Sequence, residues 1–274
     1  MKRAVKLHFR RNTAGSFLAC FAASCLAAVT GFADAFPDDH GDDAGSSTPL
    51  AIGVPDGGNI EQFIDHDFWQ FAVQDDKQYT VTVTPTTLDD GAIRLLGPDG
   101  IVVLVESNSV GTGAATVEYA HLSGPFTLYV DVGGFVEFTT GAYNIEILEG
   151  PIADVDFDGM ADVWEQQNFG NLGRDGSGDM DGDQVTDLGE YLAGTNPNLV
   201  GDSLVVTEFE EIGPQRHLTW RSAPARYYDI AICHDIGGSA WVPIGTKSST
   251  STRTTFVDNA PIPSNTFYRV ELSP

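Results

Sequence analysis

Two runs of oxygen-bearing residues stand out for their spacing. In the first, Asp154, Asp156, Asp158, Asp162 and Glu165 fall at positions 1, 3, 5, 9 and 12, counted from Asp154, with Gly159 at position 6. Met160 at position 7 can offer only its backbone carbonyl. Alternate carboxylates in a tight loop converge, and a glutamate one helical turn further on closes the cage with both oxygens. Calcium takes six to eight oxygens at about 2.3–2.6 Å, and this loop can supply about seven. The second run repeats the arrangement: Asp179, Asp181, Asp183, Asp187 and Glu190 at 1, 3, 5, 9 and 12, with the Val185 carbonyl at 7. Position 6 there is Gln184 rather than glycine. A β-carbon in a left-handed turn costs about 1–2 kcal/mol, so the second site is expected to bind more weakly. Two Ca2+ ions are thus expected, held by twelve residues.

That spacing is the EF-hand loop pattern. The elements that must position it are short helices at Val163–Phe169 and Leu188–Leu192, with Trp164, Phe169, Tyr191 and Leu192 as a small apolar knot between the loops. A knot of that size cannot hold itself together, so ion binding and folding should be coupled. The segment resembles thrombospondin type 3 calcium-binding repeats of bacterial surface proteins, in which one Asp-rich loop leads to Trp-Glu and the next to Glu-Tyr-Leu-Ala-Gly-Thr-x-Pro. Here those are Trp164-Glu165 and Glu190 to Pro197. Dockerins also pair such loops, but they present hydroxyl residues where this chain has Val163-Trp164 and Leu188-Gly189.

The flanking segments read as β. From 51 to 150, Trp69, Phe71 and Val73 share a face, Tyr79, Val81 and Val83 alternate with Thr80, Thr82 and Thr84, and Val117/Tyr119, Phe126 to Val132 and Tyr143/Ile145/Ile147 repeat the period of two. This is the pattern of half-buried antiparallel strands in a sandwich. The opening Asp65-His66-Asp67-Phe68-Trp69-Gln70-Phe71, the turn Gly97-Pro98-Asp99-Gly100 and the closing Gly141-Ala142-Tyr143-Asn144-Ile145 resemble bacterial pre-peptidase C-terminal domains. That resemblance implies an accessory module rather than an enzyme. Residues 203–274 suggest six further strands: Leu204–Phe209, His217–Arg221, Tyr227–Ile232, Trp241–Ile244, Thr254–Val257 and Phe267–Leu272. Pro224, Gly237-Gly238 and Pro261-Ile262-Pro263 punctuate them, and Trp220 belongs to their core. The closing Phe267 to Val270 resembles the fibronectin-type sandwich. The fold class expected is mainly β: two β-sandwich domains held apart by a short helical calcium-binding segment over 151–200.

Composition bounds the partners. With 14 basic against 39 acidic residues, a net charge of −25, nucleic acid and anionic membrane surfaces are excluded as partners. Lys2, Arg3, Lys6, Arg10 and Arg11, the apolar stretch Phe17 to Val29 and Ala33-Asp34-Ala35 form an export signal over residues 1–35, with no membrane span left afterwards. Its removal leaves nine basic and 38 acidic residues, a net of −29. Cys20 and Cys25 leave with it, which strands Cys233 and rules out an intrachain disulfide. The chain is expected outside the cytoplasm, secreted or in the cell envelope, with metal doing the stapling. Residues 36–50 read as an acidic flexible lead-in in which His40 is solvated.

No Gly-x-Ser-x-Gly, His-Glu-x-x-His or phosphate-cradling glycine loop occurs, and His121, His217 and His234 are scattered. Asp65-His66-Asp67 is expected to be a strand entry rather than a catalytic cluster. The expected function is a non-catalytic calcium-binding protein whose sandwiches present a surface to a polysaccharide or a surface protein. Trp241 and Tyr129 are possible platform residues more simply used in packing. The alternative is a secreted hydrolase or an accessory subunit of a protease or glycan-degrading system.

Overall fold

The structure is a computed structural model, and it describes residues 38–62, 65–109, 111–134, 139–234, 240–260 and 266–273. The export signal and its Ala33–Ala35 cleavage site lie outside these, as do Gly237-Gly238 and Pro261-Ile262-Pro263.

The first unit contains β1 (Thr48–Pro49), β2 (Asp56–Ile60), β3 (His66–Val73), β4 (Lys77–Pro85), β5 (Gly91–Leu96), β6 (Val103–Asn108), β7 (Ala115–His121), β8 (Phe126–Gly134) and β9 (Gly141–Pro151). They form two sheets, ordered β1-β3-β8-β5-β6 and β2-β9-β4-β7. The period of two decides which side chains meet between the sheets. Trp69, Val73, Tyr79, Val81, Val83, Leu128, Val130, Val132, Ile145 and Ile147 are fully buried, while Thr82 and Thr116 face outward, with hydroxyls 3.3 Å apart.

The lead-in is not a solvated tail. Thr48–Pro49 pairs in parallel with Trp69 and Gln70, and Leu50 is buried in the sandwich core. His40 stacks 4.0 Å from Trp69, with Nδ1 2.9 Å from the Thr48 hydroxyl and Nε2 3.2 Å from the Gly57 carbonyl. An unpaired edge of β3 gives this acidic stretch backbone partners that composition does not reveal.

Two helices follow, α1 (Asp162–Phe169) and α2 (Asp187–Ala193). The last unit holds β10 (Val206–Ile212), β11 (Gln215–Arg221), β12 (Arg226–Cys233), β13 (Val242–Ser249), β14 (Arg253–Asp258) and β15 (Phe267–Leu272). Its sheets are ordered β10-β11-β14 and β13-β12-β15. All six strands expected there are present, and Trp220, fully buried, meets Tyr228 edge-on at 5.6 Å.

The two β units touch directly, which corrects the expectation that the calcium segment holds them apart. Ala225, at φ 55°, is fully buried within the core of the first unit. Phe126 packs on Tyr227 with ring centroids 5.2 Å apart, and the Tyr227 N–H donates to the Ser123 hydroxyl at 3.3 Å. Residue 124 must be glycine here: its φ is 73°, and a β-carbon would lie 2.1 Å from the Tyr227 ring. Among the described residues no helix is long and apolar enough to cross a membrane.

Candidate metal centre

The first loop is held in shape by its own backbone. The N–H of Gly159 donates to Asp154 Oδ2 at 3.1 Å, that of Met160 to Asp158 Oδ1 at 2.8 Å and that of Val155 to Asp162 Oδ1 at 2.9 Å. Each bond pins one carboxylate oxygen. Ligand oxygens of Asp154, Asp156 and Asp162 lie within 4.8 Å of one another, as do those of Asp156, Asp158 and Glu165. Asp154 Oδ1, Asp158 Oδ2 and both Glu165 oxygens are buried and have no hydrogen-bond partner. Glu165 is fully buried. Burial, and then the charges of Asp158, Asp156, Asp162 and Asp154, push its carboxyl up to about 7. Orphaned, crowded carboxylate oxygens are the donor set that a hard divalent cation fits.

The second loop is built the same way. Gln184 N–H donates to Asp179 Oδ2 at 2.9 Å, Val185 N–H to Asp183 Oδ1 at 2.9 Å and Met180 N–H to Asp187 Oδ1 at 3.0 Å. Asp179, Asp181 and Asp183 bring their oxygens within 4.8 Å of one another. Glu190 is fully buried, its two oxygens and Asp181 Oδ2 lack partners, and burial first, then neighbouring acids, push Glu190 up to about 8. Asp187 departs from the expected role. Its Oδ2 lies 2.5 Å from Arg174 Nε, so the ninth-position carboxylate is already taken by a cation of the chain. At position 7, the Met160 side chain is buried in apolar contacts and Val185 is half-buried, which leaves only their carbonyls as donors.

Backbone strain also differs from the expectation. Both loops need positive φ at positions 4 and 6: Phe157 (62°) and Gly159 (94°) in the first, Gly182 (82°) and Gln184 (79°) in the second. Each loop therefore carries one glycine and one strained residue. Gln184 alone does not make the second site the weaker one, because Phe157, 88% exposed, has the same cost without a packing return. Position 4 was not recognisable because it supplies no ligand.

The helices present their closing glutamates beside two aromatics in contact. Trp164, next to Glu165, meets Tyr191, next to Glu190, edge-on at 5.2 Å, and meets Phe169 at 5.4 Å. The knot is not self-contained: Met160, Ala161 and Tyr191 pack with Ala120 and Leu122 of the first sandwich, and Leu192 is 43% exposed. Gln167 Nε2 donates to the Glu118 carbonyl at 2.9 Å. At the other end, Arg226 Nε donates to the Leu192 carbonyl at 3.3 Å. The loops are thus clamped between both β units.

A further acidic cluster was missed because its members lie far apart in sequence. Ligand atoms of Asp39, His40 and Asp67 converge within 4.8 Å, as do those of Asp38, Glu61 and Asp65. Asp67, fully buried, accepts the Tyr143 hydroxyl at 2.5 Å, and that hydroxyl accepts Trp69 Nε1 at 2.9 Å. Asp67 Oδ1, Asp65 Oδ1 and Glu61 Oε2 are left without partners, and burial above all pushes Asp65 up to about 7 and Asp67 up to about 8. His66 points elsewhere. Its Nδ1 lies 2.7 Å from Asp131 Oδ1, a carboxylate also bound by Arg94, and that hydrogen bond raises the His66 pKa. His66, Arg94, Glu106, Ser107 and Asn108 line an open groove of about 410 Å³.

The chain matches no protein-family model and no curated protein. Among solved structures, it is similar to the pre-peptidase C-terminal domain of collagenase from Bacillus anthracis, with 13% identity over 42% of this chain and 99% of that domain, and a TM-score of 0.33. PliG from Aeromonas hydrophila, a periplasmic inhibitor of g-type lysozyme, is 10% identical over 37% of this chain and 95% of that one, at 0.29. The Endo-D glycoside hydrolase domain of Streptococcus pneumoniae is 8% identical, covering 73% and 27% respectively, at 0.22.

Proposed function

We propose that this chain is a secreted or cell-envelope, non-catalytic calcium-binding protein, in which two Ca2+ ions fill the loops 154–165 and 179–190 and brace the joint between two β-sandwich modules. One observation carries the reading: Glu165 and Glu190 are fully buried, and none of their four carboxylate oxygens has a partner. Buried unpaired carboxylates are costly, and a divalent ion removes that cost in both loops at once. The likeness of 154–197 to thrombospondin type 3 repeats supports the same role, and the closing Phe267 to Val270 supports a fibronectin-type module. The cluster of Asp65 and Asp67 with the lead-in acids meets the same chemical criterion, and a cation there would tie residues 38–40 to the first sandwich. The groove beside His66 and Arg94 favours a ligand-presenting role for that sandwich, with a polysaccharide or surface protein as the partner.

Calorimetric calcium titration of the mature chain tests this. Binding in the ~10⁻⁴–10⁻³ M class of extracellular modules, with protection of 154–197 from proteolysis, is the expected result. No heat and unchanged digestion at millimolar calcium would overturn it. A glycan array on the calcium-loaded protein addresses the partner.

A further inference from the structure

Arg174 lies between the two loops in sequence, and its side chain serves only the second. Its Nε sits 2.5 Å from Oδ2 of the fully buried Asp187, and its guanidinium lies 4.9 Å over the Phe169 ring. The other Asp187 oxygen takes the Met180 N–H, so both are occupied. In the first loop the equivalent Asp162 converges with Asp154 and Asp156, and no basic side chain pairs with it among the described residues. Gly178 leaves room for the pair: a β-carbon there would lie 2.6 Å from Arg174 Nη2 and 2.9 Å from Asp187 Oδ2. Five carboxylates thus belong to each loop, but the second carries a cation of its own.

We infer that Arg174 is a resident stand-in cation of the second site. It keeps Asp187 in place when no metal is bound, and it lowers the affinity of that site for a divalent ion. Two physical reasons combine. A buried carboxylate bonded to a guanidinium is fixed by a charge-assisted bond, so the loop is shaped before metal arrives. A unit positive charge beside the site then repels the incoming ion, and stacking on Phe169 keeps it from swinging away. The first loop lacks this device, so Asp162 is left to the metal while the second site must bind calcium beside a resident cation. The inference rests on the calcium reading above.

The test is calcium titration of the full mature chain and of its Arg174→Gln, Arg174→Lys and Gly178→Ala variants, with Glu165→Gln and Glu190→Gln assigning each binding event to a loop. Hydrogen exchange of 179–193 in chelator is followed alongside. Arg174→Gln should tighten the event lost in Glu190→Gln by about tenfold, leave the other within about twofold, and speed exchange in chelator. Arg174→Lys should stay near wild type in affinity. Gly178→Ala, which displaces the guanidinium without removing its charge, should speed exchange in the same segment. An Arg174→Gln chain that folds only with calcium would also support the inference. Unchanged or weaker binding at the second site, or equal changes at both, would overturn it while leaving the calcium reading intact. A wild-type chain that binds no calcium would sink both.

Discussion

Replacing Glu165 by glutamine should move stability in opposite directions with and without calcium. Without metal, the wild-type carboxylate must be held ionised in a site that raises its pKa from 4.5 to about 7. That difference corresponds to about 3 kcal/mol at most, and solvent reaching the open loop should screen it to about 1–2 kcal/mol. Glutamine is nearly isosteric and carries no charge, so the chelated protein should gain about that amount, or roughly 2–4 °C in melting temperature per kcal/mol for a chain of this size. With calcium present, the same change removes a bidentate ligand and one of five negative charges, and first-site affinity should fall by about a hundredfold or more, the scale of a lost charge-assisted contact of about 3 kcal/mol. The assay is thermal unfolding in chelator and in millimolar calcium, paired with proteolysis of 154–170, because a chain with two β units need not unfold in one step. Equal destabilisation in both conditions would refute the reasoning, since it would make Glu165 a packing residue rather than a ligand.

Metal-free stability should also depend on pH with a definite sign. Glu165 (about 7), Glu190 (about 8), Asp65 (about 7) and Asp67 (about 8) all have raised folded-state pKa values. Their contribution is therefore fully present below the unfolded pKa near 4 and is lost as pH rises through 7 to 8. His66, also raised, acts in the same direction, and buried His121, lowered, opposes them below about pH 6.5. Denaturation in chelator should show declining stability from pH 5 to 8, and calcium should reverse the slope by binding only the ionised acids; a rise in chelator would contradict this. Gln184→Gly and Phe157→Gly should each raise loaded-state stability by about 1 kcal/mol by relieving a left-handed residue, so a gain for Gln184→Gly alone would show that Phe157 carries no strain. Tyr143→Phe should cost about 2–4 kcal/mol, because Asp67 loses its donor and Trp69 its acceptor; melting within 1 °C of wild type would refute it. Tyr227→Ala should remove the Phe126 contact and split unfolding into two transitions by calorimetry, and a single unchanged transition would mean that buried Ala225 and the backbone bond from residue 227 to Ser123 suffice to join the two β units.

The candidate loops and the fold class were legible because their signals are local. A loop of that kind spans twelve residues, so Asp154 to Glu165 and Asp179 to Glu190 stood out as candidates before any tertiary contact was known. The strands from Trp69 to Ile147 follow from side chains alternating about a pleated backbone, and the same rule found all six strands after residue 203. Leu192 was misplaced into the knot because a seven-residue helix, Asp187–Ala193, is too short for periodicity to fix its buried face.

What only the tertiary structure decided has in each case a cause that sequence spacing cannot carry. Arg174 faces Asp187 from 13 residues away, and nothing in its neighbours marks it as a counter-ion rather than a surface arginine. The lead-in became an edge strand because β3 left backbone groups unpaired there, and in doing so it brought Asp38, Asp39 and His40 onto Asp65 and Asp67. Ala225 and Tyr227 close on the first sandwich across 104 residues, from Tyr227 to Ser123, so the two β units meet directly where the sequence suggested a spacer. Carboxylate spacing and strand alternation are properties of the chain a few residues at a time, so the sequence alone determined them. Charge pairing, edge capture and domain contact depend on which distant surfaces meet, and that was set by the packing of the whole molecule.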